Sequence, residues 1–188
     1  MLWLLVLWAG CRGGERREGQ ASETDYEVLG VRYADEAQGA LAQALFRAMS
    51  KRGAEGALVF CHENAYALTD SLARRYGVSL RRVTDKARNP ANRANEAELA
   101  VMGRMQQAYA AGEALAPVLI RSGAQATAYK PIMTKEVCMA CHGNSETEIS
   151  AGLMAKLREL YPEDQATGYA PGQLRGLWAV RFEVSRGR

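Results

Sequence analysis

The chain has 188 residues, 48% of them hydrophobic and 24% charged, with a formal net charge of +3. That length supports one domain with a real core and is too short for two comfortable ones, and the composition is that of an ordinary soluble globular protein. So weak a positive bias, without a dense basic patch, excludes a nucleic-acid binder; Arg74-Arg75 and Arg81-Arg82 read as solvated element edges.

Met1 to Trp8 is an unbroken apolar run, followed by Ala9-Gly10-Cys11 and a polar stretch to Thr24. As a helix those first residues would span only ~12 Å, far short of a bilayer. They suit the short h-region of a secretory signal, and small residues before a cysteine resemble a bacterial lipobox. The expectation is a lipoprotein-type signal over 1–10 and lipidation of Cys11, which places the chain in the periplasm on a membrane anchor. A plain secretory peptide or uncleaved anchor, with Cys11 incidental, is the alternative. Residues 11–30 are Gly-rich and charged without an apolar period and read as a flexible tether, leaving 31–188 as the domain.

Within the domain, Ala37, Leu41, Ala44, Leu45, Ala48 and Met49 recur at helical spacing from Tyr33 to Arg52, with Gly53 and Gly56 as the stop. Ala57 to Cys61 is a compact apolar run, and Asn64 to Tyr76 is a second helix closed by Gly77. Val78 to Lys86 looks extended. Asn89-Pro90-Ala91-Asn92 marks a turn, with Asn92 placed to cap a helix from Arg93 to about Ala111. Pro117–Arg121 and Ala124–Lys130 form a hairpin about Ser122-Gly123. Glu146–Leu160 is helical, Tyr161–Gly176 is a Pro/Gly-rich loop, and Leu177–Val184 alternates as a closing strand. Helices followed by a small antiparallel sheet make an α+β domain.

Cys138-Met139-Ala140-Cys141-His142 is the motif that carries chemistry. Its spacing sets two thiols about one turn apart, able to add to the two vinyl groups of one heme while the next residue reaches the iron. The expected cofactor is one covalent heme c, with His142 as proximal metal ligand. A thioredoxin-like pair needs a βαβ setting, and the motif here follows a hairpin. A zinc site needs four ligands, and the chain holds only one other histidine and no second Cys-x-x-Cys. A structural disulfide would leave His142 unexplained. Gly143 suits a backbone turning sharply beneath a macrocycle.

Of the chain's four cysteines, Cys61 is left over. Burial alone could protect an odd thiol. Its functional reading is the axial ligand opposite His142, with His62, Met102, Met105 and Met133 as competitors. Were this segment a strand, Cys61 and His62 would point to opposite faces, and only one could meet the iron.

Several blocks then agree together: Ala57-Leu58-Val59-Phe60-Cys61; Arg88-Asn89-Pro90-Ala91-Asn92 with Glu96; Tyr129-Lys130-Pro131-Ile132; Cys138 to Gly143; Tyr161 to Tyr169; and Gly172 with Arg175-Gly176. In these the chain resembles the single-heme c-type cytochrome family with a PAS-like fold, long carried as a domain of unknown function and seen also as an exported sensor input. The resemblance covers roughly residues 30 to 185. It implies a PAS-like antiparallel sheet with N-terminal and flanking helices around one heme c, and Cys61 as second axial ligand, with His62 the alternative. Gln173 departs from the acidic residue usual after that glycine. Arg88 is a candidate for a heme propionate, because a guanidinium pairs bidentately with carboxylate. Tyr129 and Lys130, on the strand leading to the motif, could line the pocket or meet a propionate, and Tyr161 and Tyr169 could cover the heme edge.

The function these readings favour is electron transfer or redox sensing by a tethered periplasmic cytochrome with no turnover of its own. A gas sensor, or a small heme enzyme such as a peroxidase using His62 as acid/base, is the alternative. A redox protein is the expected partner, nucleic acid is not, and a homodimer is compatible with the sequence.

Overall fold

The computed structural model describes residues 22–184, and a helix begins within the segment expected as a tether. The Ser22 hydroxyl accepts the Asp25 N–H at 3.2 Å while the Asp25 carboxylate takes the Ser22 N–H at 2.7 Å. This reciprocal cap starts α1 (Glu23–Tyr76). The expected tether therefore ends before Ser22 instead of at residue 30. The apolar series Tyr26, Leu29, Tyr33, Ala34, Ala37 is what the helix buries, and it begins well before Tyr33. The expected signal segment, Cys11 and the remainder of the expected tether lie outside the described residues. No helix among the described residues is long and apolar enough to cross a membrane.

Gly53 interrupts α1 with φ 67° and ψ −173°, a left-handed φ that glycine adopts without steric cost. The helix reverses there. Its returning arm brings Tyr76 flat against Tyr33, ring centroids 4.1 Å apart and planes at 2°, and the Tyr76 hydroxyl donates to Glu36. Ala57–Cys61, read as a separate compact apolar run, is part of this returning arm and helical. An apolar run that short reads the same for a buried strand and a buried helix turn.

Four strands follow: β1 (Ser79–Val83), β2 (Val118–Ser122), β3 (Gln125–Met133) and β4 (Leu174–Glu183), in the antiparallel order β1-β4-β3-β2. The last strand in sequence is thus central, pairing Arg82 and Lys130 on either side of Trp178. Helices cover both faces of the sheet, giving the α+β, PAS-like arrangement. Trp178, Val180 and Phe182 face α1, where the Trp178 indole donates to Gln38 at 3.0 Å. Leu177 and Ala179 face α2 (Glu96–Ala110) and pack with Val101, Met102 and Met105. Each large apolar side chain so buried contributes ~1.5–3 kcal/mol.

Asn95 caps α2, not Asn92, with its side chain accepting the Glu98 N–H at 2.9 Å. Asn89 instead caps a 3-10 turn over Pro90–Asn92, and the Asn92 side chain accepts the Tyr66 hydroxyl at 2.9 Å. The motif forms a short helix α3 (Met139–His142). Asn144 then makes a turn, so α4 (Ala151–Leu160) starts later than expected, capped by Ser150. Ile149, Leu153 and Leu157 pack on Leu58 of α1, which anchors the motif's far side to the helix carrying Cys61.

Candidate functional site

The chain leaving β3 is tied at once to the loop entering β4. The Thr134 hydroxyl is 2.7 Å from the Ala170 carbonyl and accepts the Gln173 N–H at 2.8 Å, and the Thr134 N–H donates to the Gln173 carbonyl at 2.9 Å. Gln173, the departure from the resembled family, turns its side-chain oxygen onto the Ala170 N–H at 3.1 Å, a bond a carboxylate could also make. From this clamp a 3-10 turn (Glu136–Cys138) leads into α3, which sets Cys138 and Cys141 one turn apart on neighbouring helical positions. Both thiols are free of disulfide, as is Cys61. Buried Met139 pins the short helix.

Gly143 is needed for space and not for a special dihedral, since its φ is −73°. A Cβ there would lie 2.7 Å from the Met139 carbonyl oxygen and 2.5 Å from Glu148 Oε2. The loop from Ala166 to Tyr169 zips along the motif: Gly168 N–H donates to the Gly143 carbonyl at 2.8 Å and Tyr169 N–H to the His142 carbonyl at 2.9 Å.

His142 is held by that loop. Its Nδ1 lies 2.7 Å from the Ala166 carbonyl oxygen. A carbonyl only accepts, so Nδ1 carries the proton and Nε2 keeps its lone pair. Burial, with the nearby charges of Arg88 and Arg175, holds the imidazole pKa at about 3. At neutral pH it is uncharged, oriented and ready to ligate, which is how a backbone carbonyl prepares a metal-binding histidine.

Cys61 sits half-buried on the returning arm of α1, near enough to Cys141, Arg82 and Arg88 for their charges to act on it. Burial pushes its thiol pKa up while Arg82 pulls it down. His62 is the next helical residue, turned roughly 100° around the axis. It is exposed, with its ring edge-on to Tyr161 at 5.0 Å. The structure therefore groups Cys61, Cys141, His142, Tyr161 and Tyr169. Met102 and Met105, at 1% and 6% exposure, belong to the core between α2 and the sheet, with Met133 packed against it.

Arg88 is committed within the protein. Its Nε donates to Asp164 at 3.1 Å, and its Nη2 to the carbonyls of Cys141 at 2.5 Å and Ala166 at 3.4 Å. Asp164 also accepts the Ala166 N–H at 2.8 Å. Asp164, Arg88 and the Ala166 carbonyl thus brace the backbone that aims His142. The structure does not bring Tyr129 and Lys130 to the motif. Tyr129 is buried against Val83, Met102 and Leu177, and Lys130 pairs with Asp35 of α1 at 2.8 Å. Successive strand residues point to opposite faces, so Tyr129 turns to the core beneath α2 and Lys130 to α1.

Sequence reasoning missed Asp164, the Ala166 carbonyl, Thr134, Arg82 and Arg175. Asp164 stood in the Tyr161–Tyr169 block, but nothing in its spacing announced Arg88 as partner. The Tyr169 ring lies edge-on to His142, centroids 6.4 Å apart at 87°, and Arg175 Cζ sits 5.2 Å from the same ring's centroid. The Tyr169 hydroxyl and Arg175 Nε are buried without a hydrogen-bond partner.

Residues 20–182 match the model of the Tll0287-like family. Among solved structures, the chain is similar to the crystal structure of the cyanobacterial heme-protein Tll0287, with a TM-score of 0.61 and 20% identity over 86% of this chain and 94% of that one. At that identity the likeness speaks for the fold. No curated protein matches. A match over so much of the length settles the kinship: the chain belongs to the Tll0287-like family.

Proposed function

We propose that the chain is a single-heme c-type cytochrome working in one-electron transfer. Cys138 and Cys141 would hold the heme through thioethers, with His142 as proximal ligand and Cys61 as the second axial ligand. The observation that carries this reading is His142, buried, neutral and anchored through Nδ1 to the Ala166 carbonyl at 2.7 Å, so that only Nε2 is free to bind iron. The solved relative's title names a heme-protein, and the donor set fits the group. It comprises two free thiols one turn apart, an oriented imidazole, a third sulfur nearby and buried cations suited to an anionic cofactor.

Bound heme supplies Fe(III)/Fe(II) chemistry, and the residues set its character. A Cys61 thiolate donates charge and lowers the potential, and Arg82 and Arg88 oppose that by favouring negative charge beside them. With both axial positions taken by side chains, no site is left for peroxide or gas, which favours a carrier over an enzyme. His62, exposed and turned towards Tyr161, is poorly set as a distal acid/base. Redox sensing is the second reading. It is favoured by the placement of Cys61 on α1, the helix that leads back to the N-terminal segment, so a change at Cys61 has a mechanical outlet. The proposed setting is the periplasm, on a Cys11 lipid anchor, with a redox protein as partner.

Optical and EPR spectra at controlled potential test the ligand set. The expected ferric wild type is low-spin with thiolate features, and Cys61→Ala loses them. An unchanged ferric spectrum in Cys61→Ala removes Cys61 from the iron.

A further inference from the structure

Three arginines converge on the motif, close enough that each bears on its protonation or on the others'. They are not equivalent. A guanidinium recognises a carboxylate best along one edge, where Nε–H and an adjacent Nη–H point the same way. In Arg88 that edge is spent on Asp164 and the Cys141 carbonyl. Arg175 is held from its other side. Its Nη1 donates to the Thr84 hydroxyl at 2.9 Å and to the Lys86 carbonyl at 3.1 Å. Its Cζ lies 5.2 Å from the centroid of the Tyr169 ring. On the Nε–Nη2 edge, Nε is buried and without a hydrogen-bond partner among the described residues.

Buried donors are rarely left unpaired, because each costs about 1–3 kcal/mol of lost solvation. Here Arg175 Nε is such a group, and Tyr169, whose ring lies beside both Arg175 and His142, brings its buried hydroxyl next to Thr84 and Arg175. A guanidinium N–H can only donate, so the missing group is an acceptor. The local charge has the same sign. Arg82 carries no hydrogen bond or ion pair among the described residues, and Asp164 pairs with Arg88 while its charge also reaches Arg175.

We propose that the Nε–Nη2 edge of Arg175, with the Tyr169 hydroxyl beside it, is the carboxylate-binding site of this pocket and takes a propionate of the bound porphyrin. Arg88 is the brace that aims His142. The proposal rests on the heme c reading. It replaces the sequence-based expectation for Arg88 with a residue whose Nε is buried and without a hydrogen-bond partner among the described residues.

The test uses the heme-loaded protein and two charge-conserving variants, Arg175→Lys and Arg88→Lys, with Arg175→Gln and Tyr169→Phe alongside. Two readouts are taken: the propionate bending band in resonance Raman, and the redox-linked pKa from the pH dependence of the reduction potential. Arg175→Lys should move the band, and Arg175→Gln should raise the redox-linked pKa by a unit or more. Tyr169→Phe should give a smaller shift in the same direction, and Arg88→Lys should leave the band in place. An unmoved band in Arg175→Lys, or an equal movement in Arg88→Lys, overturns the assignment. If Arg175→Gln does not fold, the lysine pair still decides. Wild-type protein without covalent heme would defeat the cytochrome reading itself, a result distinct from either of these.

Discussion

Replacing Arg88 by methionine removes the one side chain that ties β1's exit, the motif and the β4-entry loop together. Arg88 and Asp164 are nearly buried, with side chains 12% and 11% exposed. Loss of the guanidinium strands the Asp164 carboxylate and takes a donor from the Cys141 carbonyl, while the Ala166 carbonyl keeps His142. Removing one partner of a buried pair costs roughly 3–5 kcal/mol, because the remaining charge is left uncompensated. The double variant Arg88→Met/Asp164→Leu removes that stranded charge and should recover part of the loss, leaving about 2 kcal/mol for the undonated Cys141 carbonyl and the Ala166 N–H that loses Asp164. Urea unfolding of the heme-loaded protein for wild type, both single variants and the double gives the coupling directly. The reduction potential of Arg88→Met should also fall, since a cation near the iron is gone and the Ala166 carbonyl accepts more strongly from His142. A single-variant cost below ~1 kcal/mol, or a double variant as unstable as the sum of the singles, would refute the brace.

Gly30→Ala should destabilise the protein by ~1–3 kcal/mol even though alanine is the better helix former. The new Cβ would stand 2.3 Å from Ala128 Cβ, where α1 lies closest to β3, and a neutral or raised urea midpoint would contradict that close approach. Stability should also fall on acidification from pH 6.5 towards 5, before most carboxylates titrate. His142 is depressed to about 3 in the fold from 6.5 when free, so below 6.5 the unfolded chain binds a proton the fold refuses. Above 6.5 there is no such loss, and within the window the slope approaches ~1.4 kcal/mol per pH unit. Urea midpoints that stay level from pH 7.5 to 5 would mean His142 is not held neutral by the fold.

Much of the fold was legible because its signals are local. Gly77, with φ 65°, ends α1 as read, and Gly123, with φ 59°, turns the β2–β3 hairpin. Misplaced boundaries came from competing caps, Asn95 for Asn92 and Ser22 for a tether, where several Asn and Ser residues offered the same chemistry and packing chose among them. The run from Ala57 to Cys61 was ambiguous for a deeper reason. It is short and wholly apolar, so periodicity cannot separate strand from helix. At the site, Cys138, Cys141 and His142 were visible because the motif is contiguous and its spacing can be read directly from the sequence. Their supports were not. Asp164 and Ala166 reach Arg88 and His142 across many residues, a pairing that exists only once the β4-entry loop folds back on the motif. Arg88 was singled out, but its bonds to Asp164 and the Cys141 carbonyl were not, since a sequence shows an arginine and not which edge of it is spent.

The most direct test of the central claim is a pyridine hemochrome spectrum of protein matured in a host that attaches c-type heme, taken after denaturation and acid-acetone extraction. The proposal requires heme that stays with the polypeptide, with the absorption of two thioether bonds. Cys138→Ser or Cys141→Ser should shift the band to that of a single thioether. Heme that extracts freely from the wild type, or a chain that matures without any, would contradict the account.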